Sequence, residues 1–199
     1  KNLKIHDIKT RIEHWNPDII FLQEVQGKHE KHEKKSIWPS MPQYEFLAEK
    51  KWPYKVYGGN KFYKLGHHGN AIISKYPLSN VTNYDISSSE LEKRGVLYAT
   101  AETPLGKVHL LCTHLSLTKK ARDKQCEQIL NIIKNKVMDN EKVILGGDFN
   151  DWTNKAKDFF CHNLEYSEAL SLCNKGVPVK SFPSKLPLLS LDKIFTKGF

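Results

Sequence analysis

The segment Lys142–Trp152, KVILGGDFNDW, constrains this chain more than any other stretch. Val143, Ile144 and Leu145 form a short apolar run. Two glycines follow, and then Asp148, Asn150 and Asp151 arrive within four residues. A buried strand that ends in carboxylates is costly unless the acids are paired, hydrogen-bonded or bound to a cation. Taken alone, the motif divides evenly between two structures. One is an Asx turn, in which the side chain binds nearby backbone. The other is a site, in which Gly146 and Gly147 let another group approach closely. In that case Asp148 and Asn150, two apart in an extended segment, project to one side. Alternation then turns Asp151 away from the pair, and Trp152 packs behind the loop.

Other strand-like runs carry polar residues that a core would not select. Glu24 follows IIFLQ, His114 closes VHLLCTH, Asp192 sits in LSLDKIF, and Arg94-Gly95 precedes VLYAT. Each has an ordinary alternative: Glu24 as a surface carboxylate, His114 as a satisfied core histidine. Their combination is more specific. Strands that end in Glu, His, Asp-x-Asn and Asp can converge at one edge of stacked sheets. Mg²⁺ takes oxygen ligands and keeps several waters, so one or two carboxylates plus a substrate phosphate suffice to hold it. Phosphoryl hydrolysis further needs an oriented water, charge neutralisation on the phosphoryl oxygens and a route for the leaving-group proton. Glu24 for the metal, Asp148 for the water, Asn150 and His114 on the phosphate and Arg94 as a further clamp supply those parts.

The rest of the chain reads as mixed helices and strands. Ile8, Ile12 and Trp15 mark one face of a helix over 6–15, stopped at Asn16-Pro17. The run 18–25 reads as a strand covered on both faces, with Gln23 and Glu24 at its end. Strands are expected at 44–49, 54–59 and 69–77, a hairpin over 95–117 around the turn TPLG, a strand at 142–147 and a last strand from 190. Residues 27–42 read as a loop with a possible helix. Within it GKHEKHEKK (27–35) reads as a solvated face, because Glu30 and Glu33 interrupt its bases. The clearest helix is 118–138, with Cys126, Ile129, Leu130, Ile133 and Val137 on its apolar stripe and Lys and Gln opposite. A further helix is expected at 154–164. GHHG (66–69) reads as a surface loop, with a substrate contact as the alternative, because adjacent histidines diverge in an extended chain and make poor zinc ligands. Such mixing points to an α/β or α+β domain. At 199 residues a single domain buries about 70% of its unfolded surface and needs no staples. None of the four cysteines forms a C-x-x-C pair, so free thiols and a reducing compartment are expected.

In this order and spacing, NPDIIFLQEV (16–25), GNAIISKYPL (69–78), RGVLYAT (94–100), THLSL (113–117), GGDFND (146–151) and LDKIF (191–195) resemble the endonuclease/exonuclease/phosphatase, or DNase I-like, superfamily, and its compact bacterial members most. The resemblance implies a four-layer α/β sandwich, two mixed sheets face to face with helices outside. It implies Mg²⁺- or Mn²⁺-dependent phosphoester hydrolysis at one sheet edge. Glu24 then matches the metal-binding glutamate and Asp148 the aspartate that orients or deprotonates water. Asn150 matches the asparagine that contacts nucleophile and phosphate, and His114 a histidine that contacts phosphate or assists the leaving group. Asp192 matches the acid that hydrogen-bonds a catalytic histidine, and Arg94 matches a phosphate contact found in some branches. The resemblance also implies a strand ending in asparagine before residue 6 and a Ser-Asp-His segment after residue 199. The sequence holds neither, so one domain continuing at both ends is expected. Without that histidine, the lost acid–base assistance alone would slow hydrolysis on the order of 10²–10⁴-fold.

Net charge is +9, which favours anionic partners. A nuclease stands slightly ahead of a phospholipid or sphingomyelin-type phosphodiesterase and of a small-molecule phosphatase. Trp38, Trp52, Tyr54, Tyr57 and Phe62, interleaved with bases, could stack on bases or enter a membrane interface, though packing is their commoner use. The competing class is a non-catalytic nucleic-acid-binding module on the same fold. Several acids placed together argue against it. A monomer is expected. The start of the chain has no apolar core for a signal peptide, which favours the cytoplasm.

Overall fold

The computed structural model describes residues 4–30, 39–169, 173–175, 177 and 179–199. Among the described residues, two sheets stack between two pairs of helices. The smaller sheet has the order β1-β3-β2, built from β1 (Ile19–His29), β2 (Tyr54–Tyr63) and β3 (Gly66–Ser74), with both pairings antiparallel. The larger runs β4-β5-β6-β7-β9-β8. Its members are β4 (Leu78–Asp85), β5 (Gly95–Thr103), β6 (Gly106–His114), β7 (Lys142–Asp148), β8 (Ser167–Glu168) and β9 (Asp192–Lys197). Only the β6–β7 pairing among these is parallel, so this sheet alone is mixed among the described residues.

Strand alternation sorts the side chains into three cores. Between the sheets lie Ile72, Leu97, Ala99, Leu110 and Cys112, with Phe21 and Val56 packed against them. On the outer face of the smaller sheet, Ile73 meets α1 (Ile5–Trp15) and α2 (Gln43–Ala48) through Ile5, Leu47, Ala48 and Trp52. On the outer face of the larger sheet, Leu111, Val143, Leu145 and Phe195 meet α3 (Lys119–Lys136) and α4 (Lys155–Leu164) through Ile129, Ile133 and Phe160. Helix, sheet, sheet and helix make the four layers that the family resemblance implies.

Several local expectations change. The segment 44–49 is helix α2, not a strand, because Leu47 and Ala48 reach the sheet together from one helical face. In α1, Ile5 and Ile12 face the core, whereas Ile8 and Trp15 are exposed. Strand β1 is half-buried and runs on to His29, so Glu24 is not at its end. His67 and His68 lie inside β3, not in a loop. Strands β4 and β8 were not anticipated; β4 is mostly exposed and carries little apolar alternation. Of the patch 27–35, residues 27–30 are described, 27–29 of them closing β1; residues 31–35 and Trp38 lie outside the described residues. Trp52 is fully buried with its indole N–H on Pro17 O at 2.7 Å, and Tyr57 stacks on Tyr44, while Phe62 is exposed. All four cysteines are free thiols. No helix among the described residues is long and apolar enough to cross a membrane.

The β6–α3–β7 crossover positions the chemistry. Parallel strands joined by a helix bring their C-terminal ends to one edge of the sheet. His114, last in β6, is therefore the register partner of Asp148, last in β7. Antiparallel β9 starts where β7 stops, which sets Asp192 opposite Asp148. Strand β5 starts at that edge too, directly after Arg94.

Candidate active site

His114 is the hub of this edge. The Asn150 side-chain amide donates one proton to Leu115 O at 2.8 Å and lies 3.1 Å from His114 Nε2. With the amide as donor, Nε2 is the acceptor and the imidazole proton sits on Nδ1. That Nδ1 is buried, has no hydrogen-bond partner and lies 3.5 Å from Glu24 Oε1. Asp148 Oδ2 stands 3.7 Å from Nε2 on the other side. Burial pushes the His114 imidazole below its ordinary value, Arg94 adds to this, and Asp148, Glu24 and Glu92 oppose it. The net direction favours the neutral ring that the hydrogen bonds require.

Glu24 reaches the site through backbone irregularity. The β1–β3 register shifts between Leu22 and Val25, and Glu24 takes a left-handed φ of 54°. Such a bulge re-aims a side chain out of strand alternation. The Glu24 carboxylate is largely exposed and faces Arg94 Nη1 at 3.5 Å. Arg94 also donates from Nη2 to Glu92 Oε1 at 3.0 Å, and its Nε is buried without a partner.

The GGDFND turn combines both structures that the sequence left open. Asp148 Oδ1 accepts the Asn150 N–H at 2.8 Å, which is an Asx turn, and Asn150 takes φ 47°. The turn thereby aims Asn150 at His114. Gly147 is required where it stands: φ is 149°, and a Cβ there would lie 1.9 Å from Thr113 O in β6. Asp151 is turned away and buried, as alternation suggested. Its carboxylate accepts from Thr153 N, Thr153 Oγ1 and Ala156 N and so caps the start of α4. Trp152 does not pack behind the loop; it is half exposed and stacks on the Arg122 guanidinium at 4.9 Å. Asp192 is exposed rather than embedded, at the first position of β9.

The structure thus brings Glu24, Arg94, His114, Asp148 and Asn150 into one chain of contacts, with Asp192 beside Asp148 in register. No group of three His, Cys, Asp or Glu side chains among the described residues forms a metal cage. The donor set is all oxygen: the exposed Glu24 on one side of His114, and Asp148 with its register neighbour Asp192 on the other. It fits a hard cation that keeps water and substrate oxygens as ligands, such as Mg²⁺ or Mn²⁺, and does not fit a structural zinc.

Four supporting residues escaped the sequence. Asn70, 1% exposed, donates to Gly95 O at 2.9 Å and Cys112 O at 3.3 Å and so ties the smaller sheet to the larger beneath the site. Its signal was a lone amide opening the apolar run NAII. Gln125 belongs to the buried side of α3 rather than its polar face. Lys193 is buried between Asn154 Oδ1 and Ser190 O, at 3.0 and 3.1 Å. Glu92 lies in a loop, and nothing in the sequence marks it. His68 faces the site side of β3, where burial lowers its imidazole value with Lys61 and Arg94 adding and Glu24 opposing.

Residues 1–198 match the model of the Endonuclease/Exonuclease/phosphatase family. The chain belongs to that family. Among relatives of this family member, the uncharacterized protein YbhP of Escherichia coli is 39% identical over 195 residues, covering 96% of this chain and 76% of YbhP. The fold matches an endonuclease/exonuclease/phosphatase from Beutenbergia cavernae with a TM-score of 0.71 at 18% identity, over 97% of this chain and 58% of that one. It also matches TDP2 of D. rerio, solved with a single-strand DNA product, with a TM-score of 0.69 at 17% identity, over 99% of this chain and 79% of that one. This chain therefore spans about three quarters of YbhP and less than two thirds of the Beutenbergia protein.

Proposed function

We propose that this member of a phosphoester hydrolase family is a divalent-metal-dependent phosphodiesterase, with nucleic acid the favoured substrate. The observation that carries the proposal is the buried His114 Nδ1, which has no hydrogen-bond partner and lies, like Arg94 Nη1, 3.5 Å from Glu24 Oε1. It is an N–H donor on a ring held by Asn150, grouped with one cation and one acid. A phosphoryl oxygen supplies the missing acceptor.

Each residue then has a role. Glu24 would hold Mg²⁺ or Mn²⁺, with waters and the substrate phosphate completing the shell; that ion, when bound, neutralises charge developing on the phosphoryl oxygens. Arg94 binds the phosphate as a second cation. His114 Nδ1–H donates to a phosphoryl or leaving-group oxygen. Asp148 orients the attacking water with Oδ2, since Oδ1 is occupied by the Asn150 N–H. Asn150 donates both amide protons, to Leu115 O and His114 Nε2, and so acts on the phosphate through the ring it fixes. Asp192, beside Asp148 in register, would hydrogen-bond a catalytic histidine that the described residues do not supply. Water attacks phosphorus in line and gives its proton to Asp148 Oδ2; the new P–O bond forms as the ester P–O bond breaks, and the leaving oxygen, hydrogen-bonded by His114 Nδ1–H, takes a proton from solvent water.

The net charge of +9 and the DNA product bound to the structurally similar TDP2 support a polyanionic substrate. A sugar-phosphate monoester is the second reading, because a Bacteroides thetaiotaomicron mannosyl-6-phosphatase shares the fold with a TM-score of 0.68. The test is hydrolysis of bis-p-nitrophenyl phosphate, plasmid DNA, mannose 6-phosphate and phospholipid vesicles, with Mg²⁺ and with EDTA. Turnover of the diesters that stops in EDTA is expected. Activity indifferent to EDTA, or unchanged in Asp148→Ala, would sink the proposal.

A further inference from the structure

Arg94 is held by a line of buried polar groups that begins inside α3. Gln125 is fully buried; its Oε1 accepts the Ser116 N–H at 2.9 Å, and its Nε2 donates to Ser116 Oγ at 2.9 Å and Ile86 O at 3.1 Å. Ser116 is also fully buried, so Gln125 pins the loop at 116–117 through both the backbone and the side chain of Ser116, and that loop turns its next N–H, on Leu117, toward Glu92. Glu92 Oε1 further accepts the Leu117 N–H at 3.3 Å and Arg94 Nη2 at 3.0 Å. The Arg94 backbone is fixed as well: its O accepts from Ile86 N at 3.1 Å, and its N donates to Ser87 Oγ at 3.0 Å. Nη1 is left toward Glu24, and Nε has no partner.

We propose that Gln125, Ser116 and Glu92 form a positioning relay that presets the Arg94 guanidinium for the phosphoryl group. The proposal rests on the reading above that Arg94 binds phosphate. Arginine carries four rotatable side-chain bonds, and ordering it on binding costs affinity unless the free protein has already fixed it. Here a carboxylate fixes one end of the guanidinium. That carboxylate is fixed in turn by the Leu117 N–H, and the loop that carries this N–H is fixed at Ser116 by the buried Gln125 amide. Burial pushes the Glu92 carboxyl up, yet hydrogen bonds from Ser116, Leu117 and Arg94 more than offset this, so the group stays below its ordinary value and remains an anion for Arg94. The relay spans the β6–α3 loop and the 86–94 loop, so it also couples the His114 strand end to Arg94.

The test is a double-mutant cycle on phosphate affinity, read by phosphorus NMR titration of the protein with inorganic phosphate. Arg94→Ala weakens binding more than about tenfold, the scale of a lost charge-assisted bond. Ser116→Ala alone weakens it about fivefold, the scale of one neutral hydrogen bond. In the Arg94→Ala background the Ser116→Ala loss shrinks to a small fraction, because its route to phosphate through Arg94 is gone. A Ser116→Ala loss that is equal in both backgrounds, or no loss in the wild-type background, overturns the relay. If Arg94→Ala leaves phosphate affinity unchanged, the phosphate assignment fails first and the relay falls with it. A second readout does not depend on binding. Nitrogen NMR of the Arg94 guanidinium shows a restricted Nη2 group in the wild type and a freely rotating one in Glu92→Gln and Ser116→Ala. An unchanged signal in both variants also overturns the relay.

Discussion

Asn70→Ala probes how the sandwich carries the site. The side chain is 1% exposed, and its amide bridges the sheets by donating to Gly95 O at 2.9 Å and Cys112 O at 3.3 Å. Truncation removes both bonds and leaves two buried carbonyls short of a donor. An unsatisfied buried group costs about 1–3 kcal/mol. Gly95 O keeps the Thr113 hydroxyl at 3.4 Å, so its share falls at the low end. Together with the small void, the loss should be about 2–3 kcal/mol. At this chain length that lowers Tm by about 4–12 °C. The assay is urea unfolding followed by tryptophan fluorescence, with the fully buried Trp52 as reporter. Asn70→Asp is the control: it keeps the shape, donates nothing, and places a charge against two carbonyls. It should be less stable than Asn70→Ala at pH 7 and recover partly in acid as the carboxyl gains a donor proton. A loss below about 0.5 kcal/mol for Asn70→Ala, or an Asp variant as stable as wild type, would refute the bridging role.

Three further outcomes follow from other parts of the fold. Asp151→Ala strips three hydrogen bonds from the start of α4 and should cost about 1–2 kcal/mol in urea unfolding, while Asp151→Asn, still an acceptor, recovers part of it. Gly147→Ala should express poorly or melt far below wild type, because its Cβ would lie 1.9 Å from Thr113 O at φ 149°; a wild-type melting curve would contradict the packing of β7 on β6. The Glu141 carboxyl is held down to about 2, first by Lys107 and the Met138 N–H and then, against burial, by His109. A depressed acid contributes stability above its unfolded value, and that stability is lost as pH falls through the folded one. Wild type should therefore lose stability between about pH 4.5 and 2, and Glu141→Gln should flatten that limb of a Tm-against-pH curve.

The mixed α/β class and the polar strand ends of the site were legible because both rest on local patterns, while the four layers followed from the family resemblance. Apolar runs of strand length, the α3 stripe and polar residues at the ends of β6 and β7 are visible one segment at a time. What was not legible depends on partners distant in sequence. Glu24 reads as a strand end, but a bulge re-aims it from inside β1. YEFLAE carries β-formers, yet becomes α2 because packing against β3 decides it. Gln125 looks like helix polar surface until the loop after β6 is laid over it. Asp151, set apart by alternation alone, was placed correctly on the far side from Asp148, but its cap on α4 needed the helix in view.

The most direct test of the central claim is the rate of bis-p-nitrophenyl phosphate hydrolysis in Mg²⁺ by wild type and His114→Ala. Removing the donor that faces the phosphoryl site should lower kcat on the order of 10²–10³-fold and leave the fold intact by circular dichroism. A folded His114→Ala protein that hydrolyses the diester at the wild-type rate would contradict the account.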